Sequence, residues 1–457
     1  MTDEAYIDGL VVKSRKALKE FENADQKTVD RIVREIGKYV FDNAQELAEM
    51  AVAETGMGTV ENKTAKNKNK ARIIWYSLKG KKSVGILSEN EETGIIEIAK
   101  PVGVVGAIQP TTNPQITPMA NSMSAIKGRN PIIIASHPRA VKTTKHLVDR
   151  WNERIVKLGA PRNLIQFVEG TSVERTRLLM QKVDVSVATG GPGMVKSAYS
   201  SGKPSFGVGQ GNVQAIIDRD VDMKAAVRMI VDGRIFDRGI ICSGEQTIIT
   251  PAEKWDEMRK ELEAYGGFWV EDEGSKKKII DVLFIDGHLN KDMVGQPPQV
   301  IAKAAGVELP ADIKVIAIPE DAANKDSLLR REKMFPVITP FKYTDFSEAI
   351  EILLDNLEIE GKGHSVSIHS KNEEHIRELG FRAPVCRIVV NQIAAVSTGG
   401  NFFNGLNPTS TLGCGSWGNN SISENFTYKH LLNITRIAKR KENPVIPTDA
   451  ELWAEEV

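Results

Sequence analysis

The chain has little cysteine, few aromatic residues and no surplus of either charge. Its 457 residues include 3 cysteines, 6% aromatics, and 60 basic and 60 acidic side chains. Cys242, Cys386 and Cys414 are too few and too scattered for a disulfide framework or a Cys-x-x-Cys metal site. Their odd number fits a reducing compartment, and no metal is expected. Balanced charge leaves no footprint for a polyanion, which argues against nucleic acid as a partner. No apolar run approaches the ~20 residues that span a bilayer. Residues 1–8 carry acids without an apolar stretch, so no membrane segment, secretory signal or transit peptide is expected, and the expected location is the cytoplasm.

What is present suits a soluble protein of two or more domains, with 41% hydrophobic residues. Lysines gather at residues 63–70 and 276–278 with acids beside them, the pattern of a solvated helix face. Residues 5–79 place apolar side chains at helical spacing, as in Val29, Ile32, Val33, Ile36, Val40 and Phe41, and predict a helical N-terminal region. Residues 84–99 alternate apolar and polar side chains around Glu91-Glu92-Thr93-Gly94. This predicts a β-hairpin long enough to pair with another element or subunit. Strands are then predicted at 102–108, 131–135, 165–168 and 183–188, with helices at 115–127, 140–158 and 174–181 between them. Such an order makes right-handed βαβ units and a parallel sheet whose ligands bind at the carboxyl ends of the strands. A second set follows, with strands at 247–249, 315–318, 365–368 and 388–391 and helices at 255–265 and 346–357. The expected fold is α/β, in two lobes closely packed around a cleft.

Cys242 closes a glycine-containing turn in Phe236-Asp237-Arg238-Gly239-Ile240-Ile241-Cys242-Ser243-Gly244-Glu245-Gln246. Such a thiol is either an inert core residue or a nucleophile. With a free-thiol pKa of roughly 8.5, the nucleophilic reading requires backbone N–H groups or cations nearby. Gly190-Gly191-Pro192-Gly193 follows a strand and precedes a helical segment. It is not the Gly-x-Gly-x-x-Gly fingerprint, yet it can present N–H groups and a helix terminus to a pyrophosphate. Gly207-Val208-Gly209-Gln210-Gly211-Asn212 is either a tight turn or a place where backbone approaches a flat ring. Asn113, in Pro110-Thr111-Thr112-Asn113-Pro114, sits at a strand's carboxyl end. Asn before Pro is a common turn, but the amide can also donate to a developing oxyanion. His364, in Gly361-Lys362-Gly363-His364-Ser365, is either a structural histidine or an acid–base group.

In order and spacing these segments resemble the aldehyde dehydrogenase superfamily, in particular its CoA-acylating branch, and look closest to the CoA-dependent succinate semialdehyde enzymes. The likeness covers nearly the whole chain. It is carried by Ile98-Ala99-Lys100-Pro101-Val102-Gly103-Val104-Val105-Gly106, residues 110–114, Ser136-His137-Pro138-Arg139-Ala140, residues 188–193, residues 203–209, residues 239–246 and Leu412-Gly413-Cys414-Gly415-Ser416-Trp417-Gly418-Asn419-Asn420. The resemblance implies two Rossmann-like lobes. These would be an NAD(P)-binding lobe over residues 1–229, including the hairpin, and a catalytic lobe over 230–420. A C-terminal arm over 421–457 would join the hairpin in building a homodimer or homotetramer. Cys242 would be the nucleophile, Asn113 and the Cys242 N–H the oxyanion donors, and His364 the group that activates the acceptor thiol. NAD or NADP would lie on Thr111, Thr112, His137, Pro138, Arg139, Thr189, Gly190, Gly191, Gly193, Gly207, Val208 and Gly209. Glu332, in Arg331-Glu332-Lys333-Met334-Phe335-Pro336, would hold a ribose. The partners implied are a small aldehyde and coenzyme A.

The acylating reaction is read from a missing acid. Hydrolytic relatives activate water with the glutamate of a Glu-Leu-Gly-Gly-Lys stretch, whereas residues 206–212 hold none. Without that base a thioacyl enzyme favours a thiol over water. Residues 421–434 look like those of the succinate semialdehyde enzymes, which favours a short aldehyde with a distal anion. Ile241 and Ser243, beside the nucleophile, are expected substrate contacts. Arg238 either reads a carboxylate or sulfonate bidentately or pairs at the surface with Asp232 or Asp237. Sulfoacetaldehyde, acetaldehyde and propionaldehyde stay open as substrates, as does a 2′-phosphate read by Arg139. The rival readings are a hydrolytic aldehyde dehydrogenase and a non-catalytic filament or scaffold. A chain ending at Val457 without an alcohol dehydrogenase half speaks against the filament, and a short N-terminus speaks against microcompartment cargo.

Overall fold

Fully buried apolar runs such as Ile132-Ile133-Ile134-Ala135 are the mark of parallel strands covered on both faces. In a computed structural model, which describes residues 1–455, five such runs lie side by side. Their order is Ile165–Phe167, Ile132–Ala135, Val105–Ile108, Val185–Thr189 and Ser205–Val208, all parallel. Side chains alternate between faces. Ile132 and Ile134 join a core with the helices Gln26–Asp42, Val60–Leu78, Ile116–Lys127 and Val141–Ile155. Ile133 and Ala135 pack instead with the helices Asp3–Phe21 and Val173–Lys182. The chain enters this sheet at Val105–Ile108, winds outward on one side, then returns to the other side with Val185–Thr189. The reversal leaves a crevice at the carboxyl ends of those two strands.

The second lobe is a seven-stranded parallel sheet in the order Gly267–Trp269, Val315–Ala317, Val337–Tyr343, Thr247–Pro251, Ala215–Ile217, Val366–His369 and Ile388–Val390. Helices Phe346–Ile359 and Glu373–Arg382 cover one face. Helices Met223–Ile235 and Trp255–Ala264 cover the other. The two α/β lobes are as expected, but the boundary is not at residue 229. Ala215–Ile217 and Met223–Ile235 already belong to the second sheet. Three apolar residues between Gln214 and Asp218 are too few to show a period, so sequence pattern did not mark that strand.

The predicted hairpin is present as Gly85–Asn90 and Ile95–Pro101, and Leu432–Ala438 pairs along the free side of its second strand. Both outer strands are mostly exposed. Just before this arm, Phe426, Tyr428 and Leu431 are buried in the first lobe's core.

Buried Asn130 ties these parts together. Its Oδ1 accepts from the N–H groups of Val102 (2.7 Å) and Gly103 (3.1 Å), and its Nδ2 donates to Ala125 O (3.1 Å) and Leu431 O (2.8 Å). Asn130→Ala removes these four bonds; Ala125 O keeps the backbone N–H of residue 130 (2.9 Å), while Val102 N–H, Gly103 N–H and Leu431 O lose this partner, at a cost of ~1–3 kcal/mol for each one that stays unsatisfied. We expect a net loss of about 2–4 kcal/mol in chemical unfolding; a change below about 0.5 kcal/mol would show that water replaces the amide.

Candidate active site

Helix Met223–Ile235 runs into a turn in which three successive residues, Asp237 (φ 50°), Arg238 (φ 55°) and Gly239 (φ 78°), occupy the left-handed region. Two of these are not glycine and carry a cost of about 1 kcal/mol or more each, so the surroundings must hold the turn. At Gly239 a Cβ would stand 2.4 Å from Phe335 O, which admits only glycine. Buried Arg234 donates to Glu245 O at 3.1 Å and also to Gly239 O, bracing both ends of the loop that carries Cys242. The Asp237 carboxylate, itself fully buried, accepts from the Thr59 N–H (3.1 Å), Lys63 Nζ (2.9 Å) and Lys66 Nζ (2.6 Å). Backbone at Gly211 presses so closely on Cys242 that a Cβ there would stand 1.9 Å from Cys242 O.

The same lysines reach the loop after Val105–Ile108. Lys66 Nζ donates to Asn113 Oδ1 at 2.6 Å, and Lys63 Nζ donates to Thr112 O at 3.2 Å. An ammonium can only donate, so the Asn113 carbonyl oxygen is committed to Lys66 and the NH2 group is left to act as a donor. Asn113 and Cys242 line one cavity of about 790 Å³, together with Lys66, Lys70, Ile241 and Ser243. The structure thus brings the expected nucleophile and the expected oxyanion donor to one cavity, with Ile241 and Ser243 beside them. Arg238 does not line this cavity. Nor, among the described residues, does it pair with Asp232 or Asp237; Asp232 accepts from the Tyr265 hydroxyl and Asp237 from the lysines.

Electrostatics depart from the expected activation of the thiol. Burial pushes Cys242 up to about 12; Glu332 and Cys414 push the same way, while Arg387 and the residue's own N–H oppose them. The resting form is therefore the neutral thiol. Glu332 is itself buried and pushed up to about 8, by burial first and then by Glu360. Its N–H donates to the Glu360 carboxylate at 2.9 Å, which also accepts from Gln210 Nε2 at 3.1 Å, and Gln210 and Gly211 partly offset the rise, so Glu332 lies beside the Gly207–Gly211 stretch and near the thiol. His364 is buried, with Nδ1 2.7 Å from Ser365 Oγ and Nε2 without a partner among the described residues. Burial, then Arg387, lowers it to about 3, so it is neutral near pH 7. It does not line the Cys242 cavity. Gly363 beside it packs on Cys414, and Gly209 faces the Cys414 thiol at 3.7 Å from an added Cβ. The glycine-rich stretch thus runs between the Cys242 turn and the Cys414 loop.

The other expected binding residues lie along the carboxyl edge of the five-stranded sheet. Thr111 and Thr112 follow Val105–Ile108, exposed His137, Pro138 and Arg139 follow Ile132–Ala135, and Thr189 ends Val185–Thr189. Helix Pro192–Tyr199 starts there with no side-chain cap. A Cβ at Gly191 or Gly193 would meet nothing within 4 Å, so packing does not demand these glycines. Open space over a helix N-terminus at a strand-order reversal fits a pyrophosphate. Gly207 is held differently, its N–H bonded to the Tyr199 hydroxyl at 2.8 Å. Arg139 already donates to Thr55 O at 3.1 Å.

Residues 63–70 are not a solvated face. Lys63 and Lys66 are buried, and Lys70 reaches into the cavity, where Nζ donates to Gly399 O (2.9 Å) and Thr409 O (3.3 Å). Acidic neighbours in sequence concealed this, because the partner, Asp237, lies in the other lobe. The spacing of Lys63, Lys66 and Lys70, at three and four residues on one helix face, was the available signal.

A family model described as the aldehyde dehydrogenase family matches residues 1–267. The chain is 48% identical over 453 residues to the succinate-semialdehyde dehydrogenase (acetylating) of Clostridium kluyveri, covering 99% of this chain and 100% of that one. It is 38% identical over 452 residues to a sulfoacetaldehyde dehydrogenase of an Acholeplasma species, covering 97% and 93%. In three dimensions it is similar to the crystal structure of an acetylating aldehyde dehydrogenase from Geobacillus thermoglucosidasius, with a TM-score of 0.93 and 37% identity over 97% of this chain and 98% of that one.

The raised thiol predicts slow alkylation. In the cofactor-free protein, iodoacetamide should label Cys242 more slowly at pH 7.5 than it labels free cysteine, with a rate still climbing above pH 9. A rate that levels off near pH 7 would mean a thiolate at rest.

Proposed function

The chain belongs to the aldehyde dehydrogenase family, in its acylating branch, and we propose that it interconverts a short anionic aldehyde, succinate semialdehyde, and its acyl-CoA through a thioester on Cys242. Lys70 carries the choice of an anionic substrate. Its ammonium sits in the Cys242 cavity bonded to two backbone carbonyls and, among the described residues, to no carboxylate. Burial, and then Lys66, lower its pKa to about 8. A cation partly withdrawn from water without a counter-charge is costly, and a substrate carboxylate provides that charge. A sulfonate provides it equally, so sulfoacetaldehyde is the second reading, favoured by the same ammonium.

The chain's own groups account for the acyl chemistry. Cys242, once deprotonated, attacks the aldehyde carbon, and the oxyanion of the resulting thiohemiacetal is met by the Asn113 NH2 and the Cys242 N–H. Bound NAD(P)+ supplies the hydride acceptor, over the glycine-rich edge that also holds Thr189 to Gly193. Collapse of the oxyanion leaves an acyl group on Cys242 sulfur. The residues 206–212 offer no acid to activate water, so the CoA thiol attacks the thioester and Cys242 departs. His364, the group expected to activate that thiol, lies on the Cys414 side of the glycine-rich stretch, but burial holds its pKa at about 3 and it does not line the Cys242 cavity, so it is too weak a base there to take the thiol proton. Glu332 holds the nicotinamide ribose from the same side. The exposed three-stranded sheet, with two free edges, is a pairing surface for a homodimer or homotetramer. No helix among the described residues is long and apolar enough to cross a membrane; a thiol nucleophile and three free cysteines suit the cytoplasm.

Purified protein should reduce NAD+ or NADP+ with succinate semialdehyde only when CoA is present, and equal rates without CoA would return the hydrolytic reading. Asn113→Ala should lower kcat ~100-fold. Lys70→Met should raise KM for succinate semialdehyde by ~10–100-fold, the worth of a charge-assisted bond, with little effect on propionaldehyde. Lys70 keeps its charge below its pKa, so KM for the anionic aldehyde should also rise as pH passes about 8. A pH profile shared by anionic and neutral aldehydes would remove Lys70 from substrate recognition.

A further inference from the structure

We infer that Lys66 and Asp237 are positioning residues of the oxyanion step, acting through Asn113; this rests on the cysteine–aldehyde reaction proposed above. Lys66 is nine-tenths buried, lines the cavity, and makes two short contacts, to Asn113 Oδ1 and to Asp237 Oδ2, each 2.6 Å. The first contact settles the rotation of the amide, because an ammonium cannot face the NH2 end. It also draws electron density toward Oδ1, making the NH2 a stronger donor to an oxyanion. The second contact fixes where the amide stands relative to the nucleophile. Asn113 and Lys66 belong to the first lobe, whereas Asp237 belongs to the strained turn five residues before Cys242.

Charge points the same way. Lys63 and Lys66 both bond to Asp237 and all three are buried, and two ammonium groups against one carboxylate leave a single positive charge in a low-dielectric site. No negative charge in the resting cluster balances it. The negative charge that develops on the oxyanion, one amide away, does so, and a preformed field of that sign costs no reorganisation when the reaction occurs. A merely structural ion pair has no need of the second lysine or of the bond to Asn113. The close approach of Gly58, where a Cβ would stand 1.9 Å from Asp237 Oδ1, shows how tightly the carboxylate is placed.

The test is a double-mutant cycle on kcat with succinate semialdehyde, NAD(P)+ and CoA. Lys66→Met should lower kcat ~10–100-fold while leaving KM for NAD(P)+ unchanged. Combined with Asn113→Ala, it should add almost nothing to the loss caused by Asn113→Ala alone. Lys66→Gln keeps a donor toward Asn113 without the charge, and should fall between wild type and Lys66→Met; it carries the same cycle if the methionine variant does not fold. Losses that multiply in the double variant, or a Lys66→Met kcat within twofold of wild type, would overturn the inference. Absence of wild-type turnover in the same assay would instead count against the reaction itself.

Discussion

One carboxylate, shared by two lysines from the other lobe, sets the geometry on which the site depends. Asp237 is fully buried and bonded to Lys63, Lys66 and the Thr59 N–H. Removing one member of such a cluster leaves a buried charge unpaired, which is far more costly than the cluster's net contribution to stability. Its value is specification. Helix Val60–Leu78 of the first lobe is pinned to the left-handed turn of the second, and through that turn to Cys242. Arg234 on the other flank and the glycines at 211 and 239, where no side chain fits, complete the constraint. Two sheets that fold around separate cores are thereby held at one separation where the chemistry needs it.

The environment built this way does not keep a thiolate ready. Burial and Glu332 hold Cys242 as a thiol, and the cation nearest in charge terms, Arg387, opposes this without prevailing. Positive charge is concentrated instead on the Asn113 side, in Lys66 and Lys70. The site is thus arranged around the charge that develops during reaction and around the charge the substrate brings. The absence of an acid in residues 206–212 fits a site in which water is not activated.

Much of this architecture was legible in the sequence, for physical reasons. Strands such as Ile132–Ala135 are unbroken apolar runs, and the N-terminal helices repeat apolar residues every three or four positions, so both lobes and the hairpin with its turn at residues 91–94 could be read. Cys242, Asn113, Ile241 and Ser243, singled out in sequence, line one cavity. The misreadings share one cause, that burial and partner choice are long-range. Lys63 and Lys66 sit among acids in sequence but bond to an aspartate more than 170 residues away. Arg238 stands next to Asp237, yet the lysines take that carboxylate and Arg238 stays out of the cavity. Ala215–Ile217 is too short to show a period and is a strand only because Thr247–Pro251 and Val366–His369 flank it.

In the proposed reaction a thioacyl group forms on Cys242 and waits for a thiol. Mass analysis of the Cys242 peptide, after incubation with NAD(P)+ and succinate semialdehyde but no CoA, addresses it most directly. A succinyl adduct on Cys242 should persist against water and be discharged as succinyl-CoA when CoA is added. An adduct that decays to succinate at the same rate with or without CoA, or no adduct on Cys242 while reduced cofactor accumulates, would contradict that reaction.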